Sequence, residues 1–122
     1  VDSKGKTIAI ATIGPKILIR ENTTTPTHTT IKFFGLDYNS WHAETRIIFS
    51  IIKNKYLLKL AETCGIEMVV ERFTRSGKLA GNSKPCTKCQ KMLSLVSKKY
   101  NIRINVFYWE NEKRGKITYQ NI

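Results

Sequence analysis

Pro85-Cys86-Thr87-Lys88-Cys89-Gln90-Lys91-Met92-Leu93-Ser94-Leu95-Val96 is the stretch from which the organisation of the chain can be read. Pro85 is expected to open a helix from its first turn, where a missing N–H costs nothing. Cys89, Met92, Leu93 and Val96 then share one face, the buried side. Cys86 and Cys89, three positions apart, project from one side of the first turns. A helix N terminus carries partial positive charge, which lowers a thiol pKa and favours the thiolate that a metal needs.

Outward from this helix the pattern alternates. Glu67–Phe73 reads as a strand before it, reached through a Gly/Ser/Asn loop over Thr74–Lys84, and Arg103–Trp109 as a strand after it. Asn111–Gly115 reads as a turn and Lys116–Gln120 as a last strand, joined too closely for a crossover and therefore antiparallel. Toward the N terminus, Gly65 is a helix stop. The helix it ends begins at Trp41, with Asn39 or Ser40 as cap and Ile47, Ile48, Ile51 and Ile52 as its apolar stripe; the pattern blurs at Asn54-Lys55. Asn22–Asn39 is a long loop, and Thr7–Ile13 with Lys16–Arg20 a hairpin around Gly14-Pro15. The order β-β-α-β-α-β-β defines an α/β fold with a mixed sheet of about five strands, and residues 1–122 form one domain.

The second helix carries a matching motif, His42-Ala43-Glu44, in its first turn. Two helix N termini would then meet at one metal, with His42, Cys86 and Cys89 as ligands. A neutral imidazole and two thiolates balance Zn(2+), and three protein ligands leave a fourth tetrahedral position for water, the pattern of a catalytic zinc. Glu44 is too close to His42 in sequence to be a comfortable fourth ligand, yet it is near enough to shuttle a proton from that water. Cys64, the third cysteine, is expected as a buried thiol; the alternative is a fourth ligand that closes the site.

Bulk properties set the partners. The hydrophobic fraction of 41% is that of a folded domain, and no apolar run approaches the roughly 18 residues of a membrane span. The net charge is +12, and it is uneven. Residues 72–122 hold twelve Lys/Arg against two Asp/Glu, and no acidic residue lies between Arg72 and Trp109. A one-sided basic half points to a polyanion, nucleic acid above all; a solvated helix face at Lys88, Lys91, Lys98 and Lys99 is the plainer alternative. Zinc thiolates favour a reducing compartment, cytoplasm or nucleus.

His-x-Glu followed by Pro-Cys-x-x-Cys, each opening a helix after a β segment, is the signature of zinc nucleobase deaminases. On these residues the chain resembles the cytidine deaminase superfamily. The segments Val69-Val70-Glu71-Arg72 and Gly81-Asn82-Ser83-Lys84-Pro85-Cys86 are most similar to viral and microbial deaminases, and the antiparallel final hairpin resembles the cytidine deaminase and toxin branch. The resemblance implies a three-layer sandwich and hydrolytic deamination of a nucleobase, with cytosine in RNA or DNA as the expected target. It also implies Glu44 as the catalytic proton shuttle, base contacts from the Ala43 backbone and the Lys84 carbonyl, and an Asn that holds sugar or base. Asn22 is the better candidate for that Asn and Asn39 the other.

Tyr108 and Trp109 end the fourth main strand, where Trp109 either stacks on a flanking base or anchors the last hairpin. Arg72, Arg75 and Lys78 are expected to track phosphates of a single-stranded or transiently opened strand. His28 is expected at the surface or the pocket mouth. Phe33, Phe34 and Tyr38 either pack the long loop onto the domain or stack on a base. The competing functions are a free cytidine or deoxycytidylate deaminase, a non-catalytic zinc-containing nucleic-acid-binding module, and the toxic domain of a secreted protein.

Overall fold

Alternating burial along Lys6–Ile13, where Ala9, Ala11 and Ile13 are wholly enclosed, marks β1 as a strand with one covered face. The computed structural model of the chain describes residues 5–23 and 31–120; His28 and the Thr-rich run around it lie outside them. β1 turns at Gly14, whose φ of +56° suits a residue without Cβ, into β2, Lys16–Glu21. Within the segment read as loop, two short strands form a separate hairpin, β3 Ile31–Phe33 and β4 Leu36–Tyr38. Then follow α1 Ala43–Ile52, α2 Lys55–Cys64, β5 Ile66–Phe73, α3 Thr87–Tyr100, β6 Ile104–Glu110 and β7 Lys113–Tyr119.

The main sheet runs β2-β1-β5-β6-β7. Only β5 and β6 are parallel, and α3 lies in the crossover between them. The expected mixed five-stranded sheet and antiparallel final hairpin are both present. Several boundaries differ from the sequence reading: α1 begins at Ala43 and not at Trp41. The apolar pattern over Trp41–Cys64 is two helices, because Asn54 caps the second: its Oδ1 accepts from the Tyr56 and Leu57 amides at 3.0 and 3.2 Å. α3 begins at Thr87 with Cys86 as N-cap, so Pro85 stands before the helix and not in its first turn; its carbonyl accepts from Gln90 Nε2 at 2.8 Å. β7 starts at Lys113 because Asn111 and Glu112, both at positive φ, make a two-residue turn held by the 81–82 loop.

The three helices share one face. Ala9, Ala11 and Ile13 of β1, Met68 and Val70 of β5, and Ile104 and Val106 of β6 pack in one core with Ile47, Ile48 and Ile51 of α1, Ala61 of α2, and Met92, Leu93 and Val96 of α3. Burying the enclosed Ile, Leu, Val and Met side chains among them contributes about 1.5–3 kcal/mol each and holds the helices down. The opposite face carries Ile10, Ile17, Ile19, Val69 and Phe107, then a polar cross-strand network. In that network Asn105 donates to Glu67 at 2.6 Å and Thr118 to Asn105 at 2.7 Å, while Trp109 and Arg114 donate to Glu71. Ile17 and Ile19 stay 64% and 57% exposed. Among the described residues the helices cover one face of the sheet and no layer covers the other, where a three-layer sandwich is expected; on the open face the polar side chains hydrogen-bond one another across the strands.

Candidate metal centre

His42 is the N-cap of α1 and Cys86 the N-cap of α3, so both sit in extended backbone just ahead of a helix. Neither Asn39 nor Ser40 takes the capping place predicted for it. The segment before His42 is tied back to the end of β2: the Thr23 amide donates to the Trp41 carbonyl at 2.9 Å, and the Trp41 amide donates to Thr23 Oγ1 at 3.0 Å. The segment before Cys86 is tied to the sheet by Ser83, which the sequence reading did not single out. Its hydroxyl donates to the Val70 carbonyl at 2.7 Å and accepts from the Trp109 amide at 2.9 Å. These short links fix the two helix starts relative to one end of the sheet, where β2, β5 and β6 finish.

The result is a group of three. His42, Cys86 and Cys89 bring their ligand atoms within 4.8 Å of one another and could hold a metal ion. His42 Nδ1 lies 3.3 Å from Cys89 Sγ and 3.7 Å from Cys86 Sγ. Cys89 is enclosed and Cys86 is exposed, so the group opens to one side. Cys64 belongs elsewhere. It is exposed at the end of α2, against Gly14, which corrects the expectation of a buried thiol and places it outside the group.

Glu44 is 4% exposed, and its Oε1 lies 4.0 Å from Cys89 Sγ. Burial raises its carboxyl above the ordinary range, with His42 pulling the other way. Hydrogen bonding from Cys89 and His42 holds the Cys86 thiol down to about 4 against the cost of its burial. The Cys86 thiolate and burial in turn push Cys89 up, and the bond to Cys86 raises His42. Without a metal the three groups are thus tightly coupled, the thiolate form favoured at Cys86 and the protonated forms at Cys89 and His42.

Tyr38 was read as a packing or stacking residue, and it packs: it is 2% exposed. Its hydroxyl also donates to Cys89 Sγ at 3.8 Å, and its ring stands edge-on to the His42 ring at 5.0 Å. Lys88 of α3 donates to the Asp37 carbonyl, so the small β3–β4 hairpin is clasped to the start of α3. Phe33 meets Phe34, Trp41 and Phe49 in an aromatic cluster that packs the hairpin onto α1. Replacing Tyr38 by Phe is expected to weaken metal binding by about 10-fold, the scale of losing a hydrogen bond to a ligand. Competition against a chromophoric chelator measures it; unchanged affinity would leave Tyr38 as packing alone.

A cavity of about 340 Å³ opens in front of the group. It is lined by Asn22, Ala43, Glu44, Arg72 and Lys84, residues singled out from sequence, together with His42 and Cys86 and with Thr7, Ser40, Asn82 and Ser83. Asn22 Oδ1 accepts from the Thr7 amide at 2.9 Å, which fixes its side chain at the wall. Lys84 Nζ pairs with Glu110 at 3.6 Å. Arg72 and Arg75 line a second cavity, of about 570 Å³, beside the first. Lys78 stands exposed on the same loop outside both.

Trp109 is not brought to the cavity. Strand alternation puts it on the helix-free face, where Arg114 stacks on its ring at 4.6 Å and its Nε1 donates to Glu71. Its surroundings are those of an anchor for the last hairpin and not of a pocket rim.

Fold and site define an α/β protein with a mixed five-stranded sheet, three longer helices on one face, and a His-Cys-Cys group that could bind a metal. No family model, curated protein or solved structure matches the chain.

Proposed function

We propose that the chain is a zinc-dependent hydrolytic deaminase of a nucleobase amino group, converting cytosine to uracil in RNA or DNA. The observation that carries this reading is the buried Glu44 carboxyl beside three metal-competent atoms at the floor of a nucleoside-sized cavity. A tetrahedral zinc with ordinary bond lengths sets its nitrogen and sulfur ligands about 3.5 Å apart. The 3.3 and 3.7 Å separations bracket that value, so His42, Cys86 and Cys89 fit the ion. Zinc held there supplies the Lewis acidity that makes water a nucleophile near neutral pH.

The chain's own residues do the rest. Glu44 takes a proton from the attacking water and delivers it to the ring nitrogen of cytosine, and a second proton leaves through Glu44 on the amine. Water and cytosine become uracil and ammonia. A carboxyl whose pKa burial has raised suits both directions of this transfer. In this reading the Ala43 backbone and the Lys84 carbonyl contact the base and Asn22 holds the sugar or the base, and all three residues line the cavity.

A non-catalytic zinc module would need a fourth protein ligand. Cys64 is remote, and no further His, Cys, Asp or Glu joins the group among the described residues. The test is direct. Zinc-loaded protein is incubated with single- and double-stranded DNA, RNA, cytidine and deoxycytidylate, and the products are sequenced or chromatographed. Uracil in any product supports the reading; no deamination of cytosine or adenine in any substrate by fully loaded protein overturns it.

A further inference from the structure

The larger cavity shares two wall residues with the cavity at the metal group, Arg72 and Asn82. We infer that the pair is a two-nucleotide site: the smaller cavity takes the target nucleoside, the larger takes its neighbour in a single strand, and the phosphate joining them passes Arg72. The inference rests on the deaminase reading for the first cavity and adds a subsite for the neighbouring nucleotide of a single strand, with Arg72 at the phosphate between them.

Four features of the second cavity point to a nucleotide. Its volume, about 570 Å³, falls within the range of ligand pockets. Its lining includes the small residues Gly5, Ala80 and Gly81 beside Phe73. At Gly5 the wall is backbone drawn close to β5, since a Cβ there would collide with the Phe73 carbonyl. Its charge is wholly positive: Arg72 and Arg75 line it, both exposed, and neither makes an ion pair among the described residues.

The loop is also held in shape. The Ala80 amide donates to the Arg72 carbonyl at 2.7 Å, the Lys78 amide donates to Thr74 Oγ1 at 3.2 Å, and Asn82 Oδ1 accepts from the Asn111 amide at 3.0 Å. The two arginines are therefore carried on a braced edge and not on a free tail. An arginine common to both cavities meets the one feature that every dinucleotide step has and a free nucleoside lacks, the bridging phosphodiester. Phosphate contacts of this kind place the strand without reading its sequence.

The experiment measures binding apart from chemistry. Glu44→Gln protein is titrated with fluorescein-labelled single strands of DNA and of RNA across a series of salt concentrations, with deoxycytidylate as competitor. Expected are tight binding of a single strand, weak competition by the mononucleotide, and a steep fall of affinity with salt. Arg72→Ala combined with Arg75→Ala should weaken binding roughly 10-fold at low salt and flatten the log–log salt slope by about 1.4, near 0.7 for each lost phosphate contact. Lys59→Ala, on exposed α2, is the charge control and should leave the slope alone. The DNA and RNA arms show which sugar is preferred. A slope unchanged in the double variant, or deoxycytidylate binding as well as the strand, overturns the two-nucleotide site. Efficient deamination of free cytidine with no strand binding would overturn this inference and leave the deaminase intact. Strand binding with the expected slopes but no deamination by wild-type protein would overturn the deaminase and leave the nucleotide track.

Discussion

Glu44→Gln is expected to lower deamination by at least about 10²-fold while leaving the metal in place. The carboxyl approaches Cys89 Sγ at 4.0 Å without joining the metal-binding group, so its loss removes a proton carrier and not a ligand. Metal content by atomic absorption and product formation on the best substrate measure the two halves; near-normal turnover would refute the mechanism. The same variant should change stability in the opposite direction. Burial raises the Glu44 pKa in the folded chain. A raised acid contributes stability that is complete below the ordinary carboxylate range and is lost as pH rises through the folded value. As the pH rises above the ordinary carboxylate range the metal-free wild type loses that contribution, and Gln, which does not titrate, has nothing to lose. The metal-free variant should melt higher than metal-free wild type at pH 7, by about 3–5 °C for each kcal/mol recovered, and the gap should close as the pH is lowered toward 4. The cost of burying the Glu44 carboxyl is thus measurable in the fold.

Cys86→Ala is the second large effect. Cys86 is exposed, so its truncation leaves no core cavity, unlike that of enclosed Cys89. Removing one of three ligands should reduce bound metal from one per chain to a small fraction. An ion present at 1,000 times its Kd stabilises by about 4 kcal/mol, so the variant should melt on the order of 10–20 °C below loaded wild type. Retention of a full metal equivalent would show that Cys86 is no ligand. Proton release gives a finer check. The metal-free Cys86 is already a thiolate at neutral pH, with its pKa down at about 4, whereas Cys89 and His42 are raised. Metal uptake should release a proton from Cys89 and, below the raised His42 value, another from the imidazolium. Affinity should climb with pH through that value and collapse as the pH falls toward 4, where Cys86 takes its proton. Titration in weakly buffered solution counts these protons.

The elements with strong periodicity are legible in the sequence: the first hairpin and the strands on either side of α3, with the two motif-bearing helices placed to within two residues of their starts. The His-Cys-Cys group is legible too, because His42, Cys86 and Cys89 all stand at or near helix starts and their spacing limits what they can meet. Other features depend on partners far along the chain. β3 and β4 are three residues each, too short for a periodic signal, and they exist because Lys88 and Tyr38 clasp them to α3. Asn54 looked like noise in a long helix and is a cap. For Trp109, alternation decides between the flanking-base contact and the hairpin anchor that the sequence leaves open. Ile104, Val106 and Tyr108 share the core face, so the next residue must point away from it. Tyr108, and not Trp109, is the aromatic on the side of the site, with Lys84 Nζ 5.8 Å from its ring centroid.

His42 and Cys86 are separated by 44 positions. An ion that joins them therefore closes a long loop, one containing both α1 and α2 as well as β5, and it acts on the chain as a covalent cross-link would. For a disulfide across such a span the loop-closure entropy removed from the unfolded ensemble corresponds to about 4 kcal/mol. Unlike a disulfide, this link dissolves when a chelator arrives. Unfolding of the loaded protein should then depend on chelator concentration as well as denaturant: slow while the loop stays closed, and fast once its clasp is drawn.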